Sequence, residues 1–81
     1  MYSIYDEKAK FYSQPVNYNS PDDASRMMYG FANDERSPYS SRPSDFKVYH
    51  MGTFDDCSGE LVSKQPPEFF AELQQFVYSN Q

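Results

Sequence analysis

The side chains suited to nucleophilic catalysis are a single histidine and a single cysteine in a chain of 81 residues. His50 could act as a base and Cys57 as a thiolate nucleophile, but such a pair needs a third group that orients the base. The sequence offers no such group near either residue. We therefore interpret both as ordinary strand and turn residues, and we predict that the protein is not an enzyme.

An acidic segment, Asp55, Asp56 and Glu60, resembles a fragment of a calcium-binding loop. A complete loop also needs alternating oxygen ligands at its first, third and fifth positions and a distal bidentate glutamate, which this segment lacks. A structural zinc site needs four cysteine or histidine ligands, and the chain has one of each. Its 3 glycines are too widely separated to form a phosphate-binding loop. We expect a solvated hairpin turn here, and we predict no metal and no other cofactor.

Aromatic residues are the remaining chemical signal, because the chain has 8 tyrosines and 7 phenylalanines. A core this small cannot enclose them all, so we expect exposed rings. Exposed tyrosines beside lysine and arginine suit the stacking of DNA bases with weak phosphate contacts, and the same composition is typical of protein interfaces. The candidate residues for binding nucleic acid are Lys8, Lys10, Tyr12, Arg42, Lys47 and Tyr49.

The charge balance favours the protein interface over DNA. The chain has 12 acidic and 7 basic residues, a net charge of -5, which repels phosphate backbones at long range. No apolar segment approaches the roughly 20 residues that span a bilayer, and the lone cysteine cannot form an internal disulfide. We therefore expect a soluble, intracellular protein with no membrane partner.

The elements that position these side chains form one α+β domain over residues 1–81. The helix has clear start signals, because Ser20 suits the N-cap and Pro21 suits the first helical position. Apolar residues from Phe69 onward recur at helical spacing, which predicts a second helix. The predicted elements are strands at about 2–6 and 10–16, a helix at 21–33, a flexible exposed loop at about 34–44, a hairpin over 46–63 and a C-terminal helix from 67.

We expect about four antiparallel strands, because short connections favour hairpins, with the helix packed on the sheet. The predicted core residues are Ile4, Met27, Met28, Phe31, Val48 and Leu61. A thin core and surplus aromatic surface also predict a homo-oligomer, most simply a dimer. The candidate oligomer interface is Phe69, Phe70, Leu73 and Phe76, although the same stripe would alternatively close the protomer's own core.

Three segments together resemble a known family. Asp6-Glu7-Lys8-Ala9, Pro43-Ser44-Asp45-Phe46 and Asp55-Asp56-Cys57-Ser58-Gly59 are similar to the small nonstructural protein of gokushovirus-type phages of the Microviridae, the phage ORF5 family. The resemblance covers about residues 2–62. It implies a nonstructural protein made in the cytoplasm of an infected bacterium, similar to a coliphage protein that turns DNA replication from duplex synthesis toward single-strand synthesis and packaging.

The resemblance carries no catalytic motif, and it changes the balance between the two binding hypotheses. With it, we predict a modulator of viral DNA replication and packaging that binds single-stranded DNA weakly. The alternative is an adaptor that binds phage replication proteins, capsid proteins or host proteins without touching DNA.

Overall fold

A four-stranded antiparallel sheet with the strand order β2-β1-β3-β4 forms the centre of the fold. The computed structural model describes residues 1–78, and these confirm the predicted α+β class. The elements are β1 (Tyr2–Asp6), β2 (Phe11–Tyr12), α1 (Pro21–Asn33), a 3-10 turn (Pro43–Asp45), β3 (Phe46–Phe54), β4 (Leu61–Glu72) and a C-terminal 3-10 turn (Leu73–Phe76).

Helix α1 begins and ends where the sequence predicts. The Ser20 hydroxyl accepts a hydrogen bond from the Asp23 N–H at 3.2 Å, and Pro21 opens the helix. Its buried residues are Ala24, Met28 and Ala32, which are spaced four positions apart. Met27 is 43% exposed, so its predicted core position is wrong. Residues spaced four apart lie along one side of a helix, and here that side packs on the sheet. Met27, one position before Met28, therefore lies beside the buried side chains.

The core lies between α1 and the inner face of the sheet. Ile4, Val48 and Met28 are buried there as predicted, and Phe31 is half-buried against them. Leu61 is 62% exposed, and its predicted core position is wrong. It lies opposite Phe54 at the far end of the hairpin, and none of the buried core residues lies between 52 and 63.

The predicted C-terminal helix is also wrong, because β4 continues as a strand to Glu72 and only a 3-10 turn follows. Backbone pairing with β3, such as Tyr49 opposite Phe69, gives this segment partners that an isolated short helix would lack. Pro66 and Pro67 are tolerated because they lie between Ser63 and Glu68, a stretch of β4 that the register shift leaves without paired residues on β3.

The strand predicted over 10–16 is shorter than expected, since β2 contains Phe11 and Tyr12 alone. The chain stays close to β1 afterwards by separate hydrogen bonds. The Ser13 hydroxyl accepts the Ile4 N–H at 2.9 Å, and the Tyr2 N–H donates to the Val16 carbonyl at 2.9 Å. Pro15 lacks an N–H and cannot continue a regular ladder, which explains the interruption.

The segment 34–44 contains turns, and one of its side chains is anchored to the body. The Tyr39 ring lies 5.6 Å from Phe31 and 4.9 Å from Phe46, in edge-to-face geometry in both cases. The flexibility predicted for this loop stays a prediction. Among the described residues, no helix has the length and apolar character needed to cross a membrane.

The predicted β-hairpin is present, and its far end projects from the body as a two-stranded ribbon. We call residues 52–63 the β-arm. At its tip the Asp55 N–H donates to the Glu60 carbonyl at 2.9 Å, and Gly59 adopts a φ of +77°. The exposed apolar side chains Phe54, Leu61 and Val62 lie along it. The molecule measures 45 × 25 × 20 Å along its principal axes.

Candidate nucleic-acid interface

The outer face of the sheet carries aromatic side chains from every strand. Tyr12 lies opposite Tyr5 across β2 and β1, and Tyr49 lies opposite Phe69 across β3 and β4. Directly opposite residues of antiparallel strands point to the same face. We call these four side chains the aromatic row. Helix α1 lies against the other face, where Ile4 and Val48 are buried.

Neighbouring rings of the aromatic row are in contact. The centroids are 4.7 Å apart for Tyr5 and Tyr12, 5.7 Å for Tyr12 and Tyr49, and 5.8 Å for Tyr49 and Phe69. The interplanar angles in these pairs are 50°, 72° and 76°, so no ring is covered by a parallel neighbour. Tyr12 is 42% exposed and Phe69 is 53% exposed. Tyr5 and Tyr49 are half-buried, so the row is open to solvent mainly at Tyr12 and Phe69.

Strand alternation explains why the sequence builds this face. In β1, Ile4 points to the core and Tyr5 points outward, and in β3, Val48 points to the core and Tyr49 points outward. Aromatic residues also suit a half-exposed pleated surface. Ser3 lies opposite Tyr49 and is buried, and its hydroxyl donates to the Ser13 carbonyl at 2.6 Å.

The four candidate cations lie at one end of the sheet. Lys8 and Lys10 belong to the turn between β1 and β2, and Lys47 lies opposite Tyr5. Arg42 reaches the same end because it pairs with Asp45, whose carbonyl accepts the Glu7 N–H at 2.9 Å. The structure thus places these cations at the end of the sheet where Tyr5 and Tyr12 of the aromatic row lie.

Two of these cations are already paired with carboxylates. The Lys47 Nζ atom lies 3.5 Å from a Glu7 carboxylate oxygen, and the Arg42 Nε atom lies 3.7 Å from an Asp45 carboxylate oxygen. Within residues 1–78, Lys8 and Lys10 have no carboxylate within 4.0 Å. The positive potential at this end is therefore small, and a ligand would gain more from the rings than from the charges.

The candidate oligomer-interface residues separate into buried and exposed positions. Leu73 is fully buried and Phe76 is nearly so, which places both in the protomer's own core. Phe70 is half-buried, with its ring 5.0 Å from that of Tyr2. For Leu73 and Phe76 the alternative prediction therefore holds, namely that this stripe closes the protomer's own core. Phe69 is the exposed member of the set, and it belongs to the aromatic row.

Of the residues considered for catalysis and metal binding, His50 lies apart, whereas ligand atoms of Asp55, Asp56 and Cys57 lie within 4.8 Å of one another at the exposed hairpin tip. His50 is in β3 opposite Tyr2, with its Nδ1 atom 3.6 Å from a Glu68 carboxylate oxygen. Cys57 is exposed at the tip of the β-arm. There the Asp55 carboxylate accepts the Cys57 N–H at 2.9 Å, and such backbone hydrogen bonds lower the pKa of Asp55. The predicted solvated hairpin turn is confirmed.

Sequence reasoning missed a cleft between α1 and the segment that follows it. The cleft has a volume of about 530 Å³. Its apolar lining includes Met27, Phe31 and Tyr39, and its polar lining includes Arg26 and Arg36. Arg36 pairs with Asp34 at 3.2 Å, whereas Arg26 has no carboxylate within 4.0 Å among residues 1–78. Nothing in the sequence indicated this cleft, because Met27 fits the apolar stripe of the helix and is predicted to be buried.

The fold and the aromatic row define a small α+β protein whose sheet has one covered face and one open face. The chain belongs to the phage ORF5 family, because the family model described as Phage ORF5 protein matches residues 1–76. This match extends the resemblance found over residues 2–62 to nearly the whole chain. No curated protein and no solved structure matches the chain. It is a bacteriophage protein.

Proposed function

We propose that this phage protein binds single-stranded DNA weakly on the aromatic row and modulates viral DNA replication and packaging. In this proposal it is a nonstructural protein of a gokushovirus-type phage and acts in the cytoplasm of the infected bacterium. The observation that carries the proposal is the row Tyr12, Tyr5, Tyr49 and Phe69, partly open to solvent, on a sheet face that no helix covers among residues 1–78.

Base stacking would supply most of the affinity. Each base stacked on an aromatic side chain contributes about 1–3 kcal/mol in single-strand binding proteins. Bases of a duplex already stack on each other, so the row favours unpaired DNA. Phosphate contacts would come from Lys8 and Lys10, because Lys47 and Arg42 already pair with carboxylates. The affinity should therefore fall only slightly as salt rises.

A fluorescence-anisotropy titration with a labelled oligonucleotide, as single strand and as duplex at two salt concentrations, tests the proposal. We expect a preference for the single strand. Replacing Tyr12 and Tyr49 together by alanine should weaken binding by about tenfold or more, since two stacking surfaces are lost.

The matched control is Phe11→Ala, which removes an exposed ring next to Tyr12 that points to the opposite side of β2. This variant should bind single-stranded DNA as the unmodified protein does. Absence of binding at low salt would contradict the proposal. An equal loss in the Phe11 variant and in the Tyr12 and Tyr49 double variant would also contradict it.

The cleft beside α1 supports the second candidate function, an adaptor for phage or host proteins. Its apolar lining from Met27 and Phe31 suits an apolar side chain, and Arg26 suits a neighbouring carboxylate. Cross-linking in infected cells compares the two functions. If the protein is an adaptor, Met27→Glu should abolish a specific cross-linked protein, whereas the Tyr12 and Tyr49 double variant should retain it.

A further inference from the structure

The β-arm carries an unpaired strand edge. Its β4 strand is the outermost strand of the sheet, and Leu61 and Val62 on it are exposed. An exposed edge with apolar side chains is a template for pairing with another strand. Natural edges avoid such pairing with charges and prolines, and here Pro66 and Pro67 protect only the part of β4 beyond the arm.

The hydrogen-bond pattern of the arm shows which backbone groups are free. The Asp55 N–H donates to the Glu60 carbonyl, and paired positions alternate along an antiparallel ladder. Thr53 and Val62 therefore form the next hydrogen-bonded pair. The N–H and carbonyl groups of Leu61 and Ser63 consequently point away from β3, toward the open edge.

We propose that this edge pairs with the same edge of a second copy, antiparallel and centred on Val62. In that register Leu61 exchanges backbone hydrogen bonds with the partner's Ser63, and Val62 faces the partner's Val62. The groups that hydrogen-bond across the contact are the outward-pointing ones identified above. The contact is isologous, as closed dimers with twofold symmetry require.

The charges that flank Val62, Glu60 within the arm and Lys64 directly after it, are complementary to those of a second copy. Glu60 and Lys64 lie at equal distances on either side of Val62, so the register places Glu60 opposite the partner's Lys64, twice in each dimer. Directly opposite charges of unlike sign stabilise neighbouring strands, and like charges destabilise them. Lys64 contacts Glu68 within its own chain at 3.9 Å, the longest ion pair among residues 1–78. Its ammonium group is therefore free to turn toward a partner.

The ladder is short, because Pro66 and Pro67 cannot donate from the edge beyond Gln65. The proposal therefore describes a weak dimer that forms at high protein concentration. It depends on the arm and on Lys64, and not on DNA binding.

Sedimentation equilibrium over a range of protein concentrations tests this proposal through charge reversal. We expect Glu60→Lys and Lys64→Glu each to raise the dimer dissociation constant about tenfold, because each places like charges opposite each other twice. The double reversal should return the constant to within about threefold of the original. The charge-matched controls Glu35→Lys and Lys10→Glu, at exposed positions away from this strand edge, should leave it unchanged.

A second measurement needs no substitution. The amide hydrogens of Leu61 and Ser63 should exchange more slowly as the concentration of the unmodified protein rises, while that of Val62, already bonded to β3, should change little. A monomer mass at roughly millimolar concentration would overturn the proposal. So would a dimer that neither single reversal weakens or that the double reversal fails to restore.

Discussion

Gly52 and Val62 approach each other so closely across the β-arm that a Cβ atom at position 52 would collide with the Val62 carbonyl oxygen. The φ angle of Gly52 is +145°, a region that side-chain-bearing residues rarely adopt. The β3–β4 register shifts between His50 and Gly52. The arm therefore leaves the body of the protein at a position that requires glycine.

Replacing Gly52 by alanine should lower the free energy of unfolding by about 2 kcal/mol or more, because it combines backbone strain with a collision. Urea denaturation followed by circular dichroism measures this change. The control is Gly30→Ala in α1, where a Cβ atom would meet nothing within 4 Å. That variant should gain up to about 1 kcal/mol. Equal urea midpoints for the two variants would contradict the assignment.

Leu73→Ala should lower the free energy of unfolding by about 2–5 kcal/mol, because the Leu73 side chain is fully buried in the core. Phe69→Ala, at an exposed position of the aromatic row, should cost less than about 1 kcal/mol. Denaturation at two protein concentrations measures both effects. If the loss of stability in the Leu73 variant depends on protein concentration, Leu73 contacts another copy of the protein and this assignment to the core is wrong.

Asn33 should be important for holding the C-terminal 3-10 turn against α1. Its amide donates to the Phe76 carbonyl at 2.8 Å, and its side-chain oxygen accepts the Tyr78 N–H at 2.9 Å. Asn33→Ala should cost about 1–3 kcal/mol of unfolding free energy and speed hydrogen exchange at the Tyr78 amide. Asn17→Ala, at an exposed position, is the control and should change neither quantity.

The protein should lose stability in alkaline solution. Burial raises the pKa of Tyr2 and of Tyr18, whose rings lie 6.0 Å apart. A raised pKa means that the folded state favours the neutral phenol. The contribution of each tyrosine to the stability of the fold is therefore fully present below about pH 10. That contribution disappears as the pH rises through the folded-state values. Urea midpoints measured between about pH 7 and 11 should fall at the upper end, and Tyr18→Phe should reduce the fall.

Local signals in the sequence were sufficient to predict α1 and the hairpin turn. Ser20 caps the helix within three residues of its own position, and Asp55 bonds to the N–H groups of Cys57 and Ser58. The end of the chain could not be predicted in this way. The apolar residues from Phe69 to Phe76 fit a helical face, and their pairing as a strand depends on β3, a distant part of the sequence.

The candidate site was predictable in its composition but not in its arrangement. The surplus of aromatic residues correctly predicted exposed rings, including Tyr12. The contact of Tyr12 with Tyr5 depends on strand register, and that of Tyr49 with Phe69 depends on the continuation of β4 beyond residue 63, which the sequence did not indicate. The pairing of Lys47 with Glu7 likewise depends on the register between β1 and β3.

The projecting β-arm also determines how the monomer moves through solution. A compact chain of this length has a radius of gyration of about 12 Å, whereas this one has 13.1 Å with a longest extent of 45 Å. Frictional drag on such a shape exceeds that on a sphere of equal mass. A monomer will therefore leave a size-exclusion column early, at the apparent mass of a larger species. Its rotational diffusion will be anisotropic, so amides aligned with the long axis will relax differently from those across it.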